Sequence, residues 1–228
     1  MPTNPRYIIS LGGSLIVPDE IDVKFLQEFR AIIFGQIAKR KKFLLITGGG
    51  RTSRRYSEAA KALGQLNPTD LDWLGIHSTR LNGHLLRTIF RKVANARIID
   101  NPNRRLNAKE PVIIAAGYRP GWSTDYVAVL LAQKYQGTVV VNLSNVDYVY
   151  DKDPRKFKQA KPIKEISWPD FRKIVGNKWS PGAHLPFDPV ASKLAEQMKL
   201  KVVIMNGKNL SNLKSFLAGK KFKGTIIQ

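Results

Sequence analysis

Phe43-Leu44-Leu45-Ile46-Thr47-Gly48-Gly49-Gly50-Arg51-Thr52-Ser53-Arg54-Arg55-Tyr56 is the stretch whose reading decides the fold. Four consecutive apolar residues predict a strand covered on both faces, as in a parallel sheet. The three glycines that follow allow a sharp turn and let a ligand approach the main chain closely. Tyr56, Ala59, Ala60 and Leu63 then recur at helical spacing, so a helix is expected just after the turn. A strand, a glycine turn and a helix N-terminus make a place where free N–H groups and the helix dipole favour phosphate. Arg51, Arg54 and Arg55 bring positive charge to it. A P-loop is excluded, because no Gly-Lys-Ser/Thr triplet follows the turn. A dinucleotide fingerprint is excluded too, because Ser53 stands where its third glycine belongs. The competing reading is a tight turn that only packs a helix on a sheet.

The same pattern stands earlier in the chain. Tyr7-Ile8-Ile9-Ser10-Leu11 reads as a first strand ending in Gly12-Gly13-Ser14, which places both turns on one edge of the sheet. In open α/β sheets the carboxyl edge of the strands is where ligands bind. Asp22 is the expected cap of a helix burying Phe25, Leu26, Phe29, Ile32, Ile33 and Ile37. Downstream, Thr69 is the expected N-cap of a long helix, with Asp72 three residues on and Leu71, Leu74, Ser78, Leu81, Leu85 and Ile89 along one face. Arg97-Ile98-Ile99 and Val112-Ile113-Ile114-Ala115 read as short strands. A third strand-to-helix connection runs from Gly117 to Asp125, with Ser123 or Thr124 capping a helix that carries Val127, Ala128, Leu131, Ala132 and Tyr135. Thr138-Val139-Val140-Val141-Asn142-Leu143 is a β-branched strand followed by a polar, acidic connection. Ser167 starts a short helix, and a loose stretch over 176–187 leads to Asp188-Pro189, an N-cap followed by proline at the first helical position. That helix is expected to turn Val190, Leu194 and Ala195 inward. Lys201-Val202-Val203-Ile204-Met205, a short helix and Gly224-Thr225-Ile226-Ile227 close the pattern. Strands and helices alternate throughout, which predicts a three-layer α/β/α sandwich with a mainly parallel central sheet.

Composition narrows the class. A hydrophobic fraction of 43% over 228 residues fits one sizeable core. No apolar run reaches membrane-spanning length, and Met1-Pro2-Thr3-Asn4-Pro5 lacks the features of a signal peptide, so a cytoplasmic protein is expected. The absence of cysteine excludes disulfides and thiolate metal sites, and His77, His84 and His184 are too scattered for a histidine metal cluster. Lys and Arg number 38 against 17 Asp and Glu, a formal charge of +21 that suits polyanionic partners. The basic runs Lys39-Arg40-Lys41-Lys42, Arg104-Arg105 and Lys220-Lys221 read singly as solvated faces or helix ends.

Taken in order, these segments resemble the amino acid kinase superfamily, and within it the UMP kinases of archaeal type. The likeness runs through Leu11-Gly12-Gly13-Ser14, Gly48-Gly49-Gly50-Arg51 with Arg54, Leu71-Asp72-Trp73-Leu74-Gly75-Ile76, Thr79-Arg80-Leu81-Asn82, and Pro120-Gly121-Trp122-Ser123-Thr124-Asp125. It continues through Asn145-Val146-Asp147, Val149-Tyr150, Asp153-Pro154, Phe187-Asp188-Pro189 with Lys193, and Gly224-Thr225. The resemblance implies transfer of the ATP γ-phosphoryl group to UMP, with magnesium arriving on ATP and no separate protein metal site. It implies that ATP is bound by Ser10, Leu11, Gly12, Gly13, Ser14, Gly50 and Arg54 on the phosphate side, and by Ser144, Asn145, Tyr150 and Asp153 around the adenosine. It gives UMP to Gly49, to Asp72 (on the ribose) and to the loop Tyr118, Arg119, Pro120, Gly121, Trp122, Ser123 and Thr124. Asp125, Lys193 and Arg54 would organise and neutralise the reacting phosphates, in keeping with a reaction that needs positioning and positive charge more than covalent chemistry.

The resemblance also implies a single domain over 1–228, with an acceptor part over roughly 1–137 and an ATP part over roughly 138–228, and assembly into a dimer or a hexamer of dimers through the long helix. The chain departs from the family at Ser10, where many members carry lysine, at Ser144 in place of threonine, and at Tyr148 in place of glycine. Tyr148 would be strained if the backbone there required φ > 0. Other acceptors of the superfamily (a carboxylate, a carbamate or isopentenyl phosphate) and a non-catalytic binder of nucleotide or RNA are the alternatives.

Overall fold

The computed structural model describes residues 6–104, 106–154, 156–178 and 185–228. The expectations for residues 1–5, for Arg105 and His184, and for 179–184 of the loose stretch lie outside them. In chain order the elements are β1 (Arg6–Leu11), α1 (Gly13–Ile16), α2 (Val23–Ile37), β2 (Lys42–Thr47), α3 (Gly50–Leu63), α4 (Pro68–Ile89), β3 (Val112–Ala115), α5 (Thr124–Lys134) and β4 (Val139–Ser144). They continue with β5 (Val149–Tyr150), β6 (Pro162–Ile163), β7 (Glu165–Ile166), α6 (Trp168–Val175), α7 (Pro189–Gln197), β8 (Lys201–Asn206), α8 (Leu210–Leu217) and β9 (Thr225–Ile227).

Seven strands form one sheet in the order β3-β2-β1-β4-β8-β9-β7, with β5 and β6 paired in a separate two-stranded ribbon. All neighbours in the large sheet are parallel except β8 and β9. The unbroken apolar runs are explained by cover on both faces. Ile8, Leu44, Ile46, Val140 and Val202 pack under α5, α6 and α7, whereas Ile9, Phe43, Leu45, Val141 and Val203 pack under α2, α8 and the end of α4. Phe43, Leu44, Leu45 and Ile46 have no exposed surface, and each such side chain contributes roughly 1.5–3 kcal/mol by burial. Asp22 caps α2 as expected, accepting from the Phe25 N–H at 2.9 Å.

Several local expectations are corrected. Asn67, not Thr69, is the N-cap of α4 and accepts from the Thr69 N–H, with Pro68 in the first turn. The face of α4 that is buried is Ile76, Thr79, Gly83 and Leu86, with Ser78 and Asn82 beside it, while Leu81 is 63% exposed. Polar residues held by specific hydrogen bonds displace leucine from that face. Arg97-Ile98-Ile99 forms no strand; Ile99 makes only an isolated bridge to Ala115. On α7 Ala195 is buried and Leu194 packs against the core as expected, but Val190 is exposed and Ala191 and Ser192 are buried in its stead. Tyr148 is not among the described residues with positive φ, so the exchange for tyrosine strains nothing there.

Candidate active site

Strands β1 and β2 end in register, Leu11 opposite Thr47, so their glycine turns leave the sheet side by side. They touch through bare backbone. A Cβ on Gly13 would stand 2.0 Å from the Gly50 nitrogen, and one on Gly48 would stand 2.4 Å from the Gly13 nitrogen. Gly50 also has φ +65°, a conformation that favours glycine. The Gly12 N–H donates to the Leu143 carbonyl at 3.0 Å, and the Ser144 carbonyl accepts from the Gly207 N–H at 2.8 Å, which joins the ends of β1, β4 and β8. Ser14 follows within α1. No side chain caps α3, so main-chain donors face this junction. Of the three arginines, Arg51 and Arg55 are taken up by Asp19, Glu20 and Glu58. Arg54 is exposed and makes no ion pair among the described residues.

The loop between β3 and α5 is fastened to α4. Gly121 N–H donates to Asp72 Oδ2 at 2.9 Å, so Asp72 holds this loop and is not part of a capping box. Arg80 donates to the carbonyls of Gly117 and Tyr118, at 3.3 and 2.9 Å. Thr79 Oγ1 accepts from the Gly117 N–H at 2.8 Å. Asn82 donates to the carbonyls of Gly48 and Gly49, at 2.8 and 3.3 Å, and Thr47 donates to the Thr79 carbonyl at 2.8 Å. Helix α4 therefore sets the height of the loop above the glycine turns. Within the loop, Arg119 lies 4.5 Å from the Trp122 ring centre and Trp122 packs edge-on against Tyr118 and Tyr126.

The ends of β1, α5 and α7 meet at a carboxylate pair. Ser123 caps α5, accepting from the Tyr126 N–H at 3.1 Å, and its hydroxyl also bonds Asp188. Asp188 caps α7, accepting from the Ala191 N–H at 2.6 Å, and its own N–H donates to Asp125 Oδ2 at 3.2 Å. Ser10 bonds the Asp125 carboxyl. Asp125 as a residue is half-buried, but its carboxyl is hemmed in. Burial, and then repulsion from Asp188, push its pKa up to about 7 against the opposing bonds from the Asp188 N–H and Ser10. Burial raises Asp188 as well. Lys193 lies on the first turns of α7, exposed and without an ion pair among the described residues.

On the other side, Ser144 Oγ accepts from the Val146 N–H at 3.3 Å, Asn145 is exposed, and Tyr150 stacks edge-on with Tyr148. The Asp153 carbonyl accepts from the N–H groups of Lys156 and Phe157. Buried Thr225 ties this segment down, accepting from the Val149 N–H at 2.8 Å and donating to the Ile163 carbonyl. Ser144, Asn145, Tyr150 and Asp153 thus follow one another along the connection from β4, away from Asp72 and its loop. Thr47, Thr79, Arg80, Asn82 and Asp188 had no role from the sequence beyond motif or cap. The available signal was polar residues at 79 and 82 inside a helical apolar repeat. No group of three or more carboxylate, histidine or cysteine side chains is placed to hold a metal among the described residues.

The model of the amino acid kinase family matches residues 5–206. The chain belongs to the amino acid kinase family. Among members of that family, the uridylate kinase of Thermoplasma volcanium is 34% identical over 99% of this chain and 98% of its own length. That of Thermococcus sibiricus is 34% identical over 98% and 99%. The crystal structure of uridylate kinase from Archaeoglobus fulgidus superimposes with a TM-score of 0.82 at 29% identity, over 97% of this chain and 99% of that one. The UMP kinase of Bacillus anthracis, 19% identical with a TM-score of 0.78, shares the amino acid kinase fold.

Proposed function

We propose that the protein is a uridylate kinase, which transfers the γ-phosphoryl group of ATP to UMP to give UDP and so serves pyrimidine nucleotide synthesis. The observation that carries this reading is identity above 30% over essentially the full length of both chains to proteins named uridylate kinase. The geometry agrees with it. The paired turns at Gly12, Gly13 and Gly50 offer main-chain donors to phosphates, with Arg54 beside them. The loop 118–124, held by Asp72, covers the acceptor, and the connection 144–153 lies on the adenosine side. On this reading the acceptor part is roughly 1–137 and the ATP part roughly 138–228. The residues fit a magnesium ion carried in on the ATP phosphates and not one caged by protein, since Asp188 is committed to its helix cap and Asp125 stands as a single nearby carboxylate. When bound, that ion supplies charge neutralisation.

Steady-state assay of ATP with each nucleoside monophosphate should give the highest kcat/KM with UMP. A preference for a carboxylate, a carbamate or isopentenyl phosphate would overturn the reading. Asp72→Ala should weaken UMP binding tenfold or more, because a loop hydrogen bond and a ribose acceptor are lost together at about 1–3 kcal/mol. ATP affinity should stay within about twofold, since among the described residues Asp72 bonds only the acceptor loop; equal losses for both nucleotides by calorimetry would contradict the assignment.

The expected assembly rests on an apolar face. Helix α3 buries none of its residues, and Tyr56, Leu63 (91% exposed), Trp73 and Leu81 stand out from α3 and α4. A second copy of the chain covering these two helices would remove that surface from water. Light scattering should show a dimer or a hexamer, and Leu63→Asp with Leu81→Asp should shift it to monomer.

A further inference from the structure

The edge of the sheet opposite the candidate active site collects basic residues that are far apart in sequence. Strands β2, β1, β4 and β8 run parallel, so the segments leading into them end on one edge, with Arg6 opposite Lys42 and Val139 opposite Lys201. Together with the last turn of α8 and the residues after it, this edge carries Lys39, Arg40, Lys41, Lys42, Lys199, Lys201, Lys214, Lys220 and Lys221, and neither 29–57 nor 197–228 contains a single Asp or Glu. The acids that border this edge are already engaged: Glu110 accepts from Asn95, and Glu196, in the last turn of α7, pairs with Arg172.

A second observation is conformational. Helices α2, α5, α7 and α8 all close here with the same turn, in which an N–H reaches back five residues: Lys41 to Gln36, Gly137 to Ala132, Leu200 to Ala195 and Lys220 to Ser215. That turn needs one left-handed residue, normally glycine. Only α8 uses glycine, Gly219 at φ +70°; the others use Arg40, Gln136 and Lys199, at φ 61°, 52° and 50°. Two long cations are thus held at a conformational cost of about 1 kcal/mol each. Helix C-terminal dipoles favour a cation at each end, but they account for about one per helix and not for nine on one edge.

Third, a cavity of about 510 Å³ opens in the middle of this edge, with Tyr7, Lys41, Thr138, Lys201 and Phe216 in its wall. Lys41 lies 5.0 Å from the Tyr7 ring centre. We propose that this edge is a binding surface for single-stranded nucleic acid, with phosphates on the lysines and an unstacked base in the cavity between the rings of Tyr7 and Phe216. Aromatic rings flanked by cations suit exposed bases and a flexible backbone. A lipid surface fits less well, because among the described residues none of the large exposed apolar side chains lies on this edge.

The experiment is fluorescence anisotropy of the full chain with a labelled 20-nucleotide single-stranded RNA over a series of salt concentrations. Replacement of Lys39, Lys199 and Lys220 by glutamine should weaken binding at least tenfold and reduce the slope of log affinity against log salt by roughly 2, at about 0.7 per cation in a single strand. Kinase activity should be unchanged, which also shows that the variant folds. The equally charged control with Lys24, Lys61 and Lys164 changed to glutamine should bind RNA within twofold of the parent. Equal loss in both variants would mean that net charge alone is read and would overturn the site. No binding by the parent at low salt, or competition by anionic vesicles but not by unlabelled RNA, would overturn it as well.

Discussion

Replacing Lys193 or Arg54 by alanine is expected to lower kcat by about a hundredfold or more, while Lys220→Ala leaves it within twofold. Phosphoryl transfer spreads charge over the moving group, and fixed cations in a water-poor site supply roughly 3–4 kcal/mol each. Ser10 puts a hydroxyl and no cation on β1 beside Asp125, so that charge must come from elsewhere. The structure sorts the arginines after the glycine turn, since Asp19, Glu20 and Glu58 occupy Arg51 and Arg55 and leave Arg54 uncommitted. Lys193 follows the Asp188 cap that bonds Asp125. Single-turnover kinetics with each variant check the expectation; near-normal transfer in both would place the cations elsewhere.

The second large effect concerns Asp125. With no lysine at position 10, its buried carboxyl faces Asp188 and is held by the Ser10 hydroxyl and the Asp188 N–H alone among the described residues, and its pKa stands at about 7 against 3.8 for an ordinary aspartate. Because the folded value is the higher one, the native-state preference is complete below pH 4 and is lost as pH rises through 7. Asp125→Asn, which cannot ionise, should therefore gain about 2–4 kcal/mol relative to the parent between pH 4 and pH 8, read from urea denaturation across that range. It should lose activity nonetheless. Ser10→Lys should place a cation beside the same carboxyl, lower its pKa and flatten the dependence. A pH-independent difference between Asp125→Asn and the parent would refute the buried, raised carboxyl.

The three-layer fold was readable because its decisive feature is local. Runs such as Phe43 to Ile46 and Val139 to Val141 can only be strands covered on both sides, and the glycines after Leu11 and Thr47 mark one edge. The caps at Asp22, Ser123 and Asp188 were likewise visible, since a cap lies within three residues of its partner. The face of α4 was misread because Thr79 and Asn82 are buried by bonds to Gly117 and Gly48, 38 and 34 residues away. The Asp125–Asp188 pair spans 63 residues, and no periodicity announces it. The same holds for the second role of Asp72, whose partner Gly121 is 49 residues away. The apolar stripe of α3 was seen, but not that it stays uncovered within one chain.

Thr225 imposes an order on biosynthesis. The ribbon of β5 and β6 and strand β7 lean on β9, yet Val149 leaves the ribosome 76 residues before Thr225 does. At about 5–20 residues per second that interval is roughly 4–15 s. Strands β1, β2 and β3 meanwhile have all their partners within 6–144 and can close over α2 and α5, whereas β4 still waits for β8 on its other side. A growing chain therefore completes the sheet around β1, β2 and β3 first, and the segment 149–166 waits as an unpaired guest for the last strand. Chaperones that shield nascent edges would meet this protein at that segment, and stalled translation near residue 200 would leave it there.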